Sequence, residues 1–90
     1  MLNASIVLYN PNWEQVVSLT NVILQAEGVD CVYWIDNSPN PMDKLPIPSN
    51  KVKYIFNNKN IGYGAAHNIA IRESIYDDIP FHLIINPDII

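Results

Sequence analysis

Short apolar runs separated by turn-forming clusters organise the chain. Ile6, Val7 and Leu8 lie in a run over 5–9 that stops at Asn10-Pro11-Asn12. A run this short and β-branched predicts a buried strand rather than a helix. The period then changes. Val16, Leu19, Ile23 and Ala26 share one helical face, with Val17, Thr20 and Leu24 beside it, so one apolar stripe packs inward. Asn12 is placed to cap this helix, and Gln15 follows three residues later in a capping-box variant. Gly28 is placed to end it in a left-handed conformation.

A second strand is predicted over 31–35, apolar on both alternate sets, ending at Asp36-Asn37-Ser38-Pro39. Pro39, Pro41, Pro46 and Pro48 make 37–50 a surface connection, since proline at that density breaks helix and sheet alike. A third strand over 52–56 ends at Asn57-Asn58. The loop Lys59-Asn60-Ile61-Gly62-Tyr63-Gly64 leads into a second helix over 64–76, where Ala65, Ala66, Ile69 and Ala70 suit close packing on a sheet. Asp77-Asp78-Ile79-Pro80 stops that helix, and a fourth strand over 81–85 ends at Asn86-Pro87-Asp88. The order β-α-β-loop-β-α-β, with apolar strands that do not alternate strictly, predicts an α/β fold. Its parallel open sheet is covered on both faces, with right-handed crossovers, in one domain over 1–90.

In such sheets ligands bind beyond the carboxyl ends of the strands, at a topological switch point. All four predicted strand ends carry amides or carboxylates: Asn10, Asp36-Asn37, Asn57-Asn58 and Asn86-Pro87-Asp88. Asn and Asp follow many strands because they favour turns, but four ends of four point to a polar ligand. The Gly62-Tyr63-Gly64 loop joins a strand to a helix, where backbone N–H groups can hold a phosphate. The dinucleotide fingerprint is broken, because His67 stands at its third glycine position and the loop follows the third strand. The competing reading of the glycines is a turn that lets the helix pack close to the sheet. Asp88 is a candidate ligand for Mg²⁺ or Mn²⁺. Asp36 is placed to bind a ribose hydroxyl or base, unless it only closes an Asx-turn before Ser38-Pro39.

Composition narrows the classes. Nine Asp/Glu against five Lys/Arg give a net charge of −4, which argues against nucleic acid binding through a basic face. Cys31 is the single cysteine, so no internal disulfide forms. It reads as a buried strand residue. No apolar run approaches the roughly 18–20 residues of a membrane span, and no signal peptide opens the chain. The expectation is a soluble, cytoplasmic domain, in which the Asn3-Ala4-Ser5 sequon is silent. His67 and His82 lack a third ligand spaced for zinc; His82 reads as a strand side chain. Trp13 and Trp34 read as packing anchors, and no serine sits in a nucleophile-elbow context.

Three segments carry a resemblance: Ser5-Ile6-Val7-Leu8-Tyr9-Asn10-Pro11, the stretch from Asn58 through Gly62-Tyr63-Gly64 to His67-Asn68, and Leu83-Ile84-Ile85-Asn86-Pro87-Asp88, with Asp36-Asn37-Ser38 in agreement. The chain resembles the N-terminal, nucleotide-binding half of family 2 glycosyltransferases of the GT-A fold, most of all bacterial rhamnosyltransferase-like members. The resemblance implies transfer of a sugar, with inversion, from a UDP- or dTDP-linked sugar to an acceptor. It implies the strand order 3-2-1-4. Tyr9, Asn10 and Pro11 would border the nucleobase, and Asp36 would contact the base or its ribose. Asn60 and the Gly62, Tyr63 and Gly64 backbone would lie along the nucleotide, with Asn68 pointing back toward it. Asp88 would take the last-acid role of the D-x-D motif, on a Mg²⁺ or Mn²⁺ ion and the donor diphosphate. Asn86 replaces the motif's first acid; it can bond ribose but brings no charge, which weakens metal dependence.

The family keeps its acceptor surface and catalytic base beyond the D-x-D strand, so the expectation for a chain ending at Ile90 is a truncated, inactive donor-binding half. The order 3-2-1-4 would leave the last strand at an open edge, suited to self-association. Sugar-nucleotide pyrophosphorylases share the half-fold but want a glycine-rich basic loop where Asn10-Pro11-Asn12 stands. A phospho-acceptor receiver wants an acidic pair where Tyr9-Asn10 stands. The remaining alternative is a non-enzymatic α/β nucleotide-binding or protein-interaction module.

Overall fold

The computed structural model describes residues 1–41 and 43–87. Its elements are β1 (Leu2–Leu8), α1 (Trp13–Leu24), β2 (Val29–Asp36), β3 (Val52–Phe56), α2 (Tyr63–Tyr76) and β4 (Phe81–Ile85). The four strands form one parallel sheet in the order β3-β2-β1-β4. Fold class and strand order are as the sequence implied.

The pleat of the sheet divides the core in two. Ala4, Ile6 and Leu8 of β1 pack with Val32 and Trp34 of β2 against Val16 and Ile23 of α1. Val7, Cys31, Tyr33 and Ile35 pack on the other face against Ala66 and Ala70 of α2. Trp34 is fully buried. It stacks at a tilt on Trp13, with ring centroids 5.5 Å apart, and its Nε1 donates to Thr20 Oγ1 at 3.0 Å. Both tryptophans are therefore packing anchors, and Trp34 has the polar partner that a buried indole needs.

α1 begins as expected, with Asn12 Oδ1 accepting from the Gln15 amide at 3.2 Å. Its end differs. The helix closes at Leu24 with Gln25 as its cap, so Ala26 lies outside it. Gly28 does adopt a left-handed φ of 82°, but in the turn into β2, where its carbonyl accepts from the Leu2 amide at 2.7 Å. β1 starts three residues earlier than expected and releases Tyr9, because Leu2 and Asn3 pair with both β2 and β4. β2 extends at both ends for the same reason, its last residue Asp36 pairing with Leu8 and Phe56.

Coverage of both faces fails at β4. Phe81, Leu83 and Ile84 are exposed on this edge strand, which pairs only with β1 among the described residues. No helix among the described residues is long and apolar enough to cross a membrane.

Candidate functional site

The chain leaves β1 toward β2 and β3, then crosses back to β4 on β1's other side, so the switch point lies at the carboxyl ends of β1 and β4. Two clefts open along this carboxyl edge. One, about 240 Å³, is lined by Val7, Tyr9, Asn37, Asn60, Gly62 and Tyr63. The other, about 340 Å³, is lined by Asn10, Pro11, Trp13, Asp36, Asn40 and Pro41. Tyr9, Asn10, Pro11, Asp36, Asn60, Gly62 and Tyr63 are thus brought together. Asn68 is exposed in the second turn of α2. Asn86 follows β4 and bonds His67. Asp88 lies outside the described residues.

The strand-end amides hold one another. Asn37 Oδ1 accepts from Asn57 Nδ2 at 2.7 Å, while Asn37 Nδ2 donates to the Gly62 carbonyl at 3.3 Å. Asn60 Oδ1 accepts from the Gly62 amide at 2.9 Å. This ties the ends of β2 and β3 to the start of α2 and sets the rim of the first cleft. On the opposite side the Asn10 amide donates to Ser38 Oγ at 2.7 Å, with Asn10 in the left-handed region at φ 43°, which asparagine tolerates.

Asp36 is fully buried. Its Oδ1 accepts from the Ser38 amide at 2.9 Å and its Oδ2 from the Tyr54 hydroxyl at 2.6 Å. The Asx-turn reading is therefore correct, and it coexists with a place on the second cleft's wall. Burial, and then the bond to Asp36, push the Tyr54 hydroxyl well above its usual range, so it remains a donor at neutral pH.

Gly62 has φ 84° and ψ 166°, a region open essentially to glycine alone. Among the described residues no side chain caps α2, which leaves the first-turn amides of Gly64 and Ala65 to an anionic ligand. A Cβ added at Gly62 or Gly64 would meet nothing within 4 Å. Close packing of helix on sheet therefore does not explain either glycine. Gly62 is required by its backbone, and Gly64 keeps open the space above the helix start.

Sequence reasoning missed one constellation. His67 and His82, far apart in the chain, both bond Ser5 Oγ, through His67 Nδ1 at 2.7 Å and His82 Nε2 at 2.8 Å. His82 Nδ1 bonds Ser74 Oγ at 2.7 Å, and Ser74 accepts from Asn3 Nδ2 at 2.9 Å. At the outer end His67 Nε2 bonds Asn86 Oδ1 at 3.1 Å. Burial, and then the neighbouring His67, lower the His82 pKa. The only sequence signal was polar Asn3 and Ser5 inside an otherwise apolar strand, which must find buried partners.

Asp88, the acid expected on a divalent cation, lies outside the described residues. No group of three or more His, Cys, Asp or Glu among them is arranged to hold a metal, and both Asp36 oxygens are engaged. The edge presents side-chain amides, the Tyr9 and Tyr63 rings and the start of α2. Compared with known proteins, the chain matches no family model, no curated protein and no solved structure.

Proposed function

We propose that the chain binds a nucleoside diphosphate-sugar, UDP- or dTDP-linked, as the donor-binding half of an inverting glycosyltransferase. One observation carries the reading: residues 9–11, Asp36, Asn60 and the 62–64 loop come from separate segments and converge on one carboxyl edge. Tyr9 and Tyr63, both half-exposed, line the first cleft, where a base would lie. The start of α2 offers N–H groups to a diphosphate. Calorimetry with UDP, dTDP and uridine, each with Mn²⁺ and with chelator, tests this. Diphosphates binding more tightly than uridine support it, and no detectable binding at millimolar nucleotide overturns it.

A second reading, a protein-interaction module, is favoured by the exposed apolar side chains of β4. An open parallel edge pairs with another strand, and the simplest occupant is β4 of a second copy.

A further inference from the structure

Six side chains form one continuous hydrogen-bonded chain through the α2 face of the sheet: Asn3, Ser74, His82, Ser5, His67 and Asn86. Its polarity follows from its inner end. Asn3 Nδ2 donates to Ser74 Oγ, which frees the Ser74 hydroxyl to donate to His82 Nδ1. His82 Nε2–H then donates to Ser5, the Ser5 hydroxyl to His67 Nδ1, and His67 Nε2–H to Asn86 Oδ1. Every member but the terminal acceptor Asn86 donates once within the chain, and both histidine rings carry their N–H at Nε2.

Run the other way, Asn3 and His82 both donate to Ser74 and its hydroxyl proton loses its place in the chain. Alternatively Asn3 turns over. Its Oδ1 is buried with no partner among the described residues, and exchange would put an unpaired N–H there, which proteins tolerate less well than an under-used carbonyl. The reversed chain also turns the Asn86 amide round.

We propose that this one-way chain fixes Asn86 as a hydrogen-bond donor at the carboxyl edge, with its Nδ2 directed to a ligand oxygen rather than its carbonyl to a cation. Among the described residues nothing accepts from that Nδ2, and Asn86 is half-buried on the wall of a groove with Gln15, Ser18 and Ile85. The ligand half of this inference rests on the nucleotide reading above. His67 is a positioning residue in it and touches no ligand.

Two measurements test it. Long-range ¹H–¹⁵N NMR of the free chain near pH 7.5 reads the histidine tautomers without any nucleotide. Nε2–H on both rings is expected; Nδ1–H on both overturns the inference even if UDP binds. Asn86→Asp keeps an acceptor for His67 but replaces the outward donor with a carboxylate oxygen. Its affinity for UDP in chelator should fall roughly tenfold or more, the worth of one hydrogen bond to a charged group. A matching fall with uridine assigns the ligand oxygen to the sugar, and a fall with UDP alone assigns it to the phosphates. Unchanged UDP affinity overturns the donor role. Failure of the unmodified chain to bind UDP overturns the nucleotide reading, while Nε2–H tautomers in that same sample still support the fixed direction of Asn86.

Discussion

Gly64→Ala separates a glycine kept for folding from one kept for a ligand. The added methyl meets nothing within 4 Å, and Gly64 lies in the first turn of α2 with no positive φ. Alanine reduces the freedom of the unfolded chain and suits a helix better, which is worth about 0.4–1 kcal/mol at a compatible site. For a domain of this size that raises Tm by about 2–8 °C. The same methyl stands over the α2 start, where a diphosphate would approach the Gly64 and Ala65 amides, so UDP affinity should fall. Gly62→Ala is the contrast, since its φ of 84° admits no methyl without strain, costing about 1–3 kcal/mol. Thermal unfolding followed by circular dichroism, with calorimetry on the same samples, reads both effects. A Gly64→Ala chain that melts lower than the parent would refute the open-space reading and restore close helix packing as the glycine's purpose.

Three further outcomes are expected. Tyr54→Phe removes the donor to a buried Asp36 carboxylate, and urea unfolding should show a loss of about 1.5–3 kcal/mol; a loss below about 0.5 kcal/mol contradicts that bond. His82 holds its proton less tightly when folded, so as pH falls below about 6.5 the unfolded chain takes up a proton that the folded chain refuses, and stability declines until the folded pKa is passed. Urea midpoints measured from neutral to mildly acid pH should show this decline, and His82→Gln should flatten it. Self-pairing through β4 should appear as dimers or larger species in light scattering at about 100 μM and be suppressed by Leu83→Lys; a parent chain that is monomeric at that concentration excludes it.

The parts of the fold legible in the sequence were those set by neighbours in the chain. The bounds of β3 and β4 and the Asn12 cap follow from turn residues and local period. The ends of β1 and β2 were not legible, because Leu2, Asn3 and Val29 become strand only by pairing with distant segments. Gly28 looked like a helix terminator because the apolar spacing continues to Ala26, yet the helix closes before both. The site shows the same division. That asparagines gather at the carboxyl edge was readable from four strand ends. That Asn37, Asn57 and Asn60 bond one another depends on how the ends of β2 and β3 meet the α2 loop. The Ser5-centred pair of histidines joins residues 62 and 77 positions apart, a distance no local pattern spans.

The proposed function requires that one edge of this sheet receive a nucleoside diphosphate. Amide chemical-shift mapping of the ¹⁵N-labelled chain during a UDP titration tests it most directly. Saturable shifts are expected at Tyr9, Asn10, Asn37, Asn60, Gly62 and Gly64, around the two clefts at the carboxyl ends of the strands. Shifts confined to the opposite edge, near Asn50, Lys51 and Asp77, or no shifts at millimolar UDP, would contradict it.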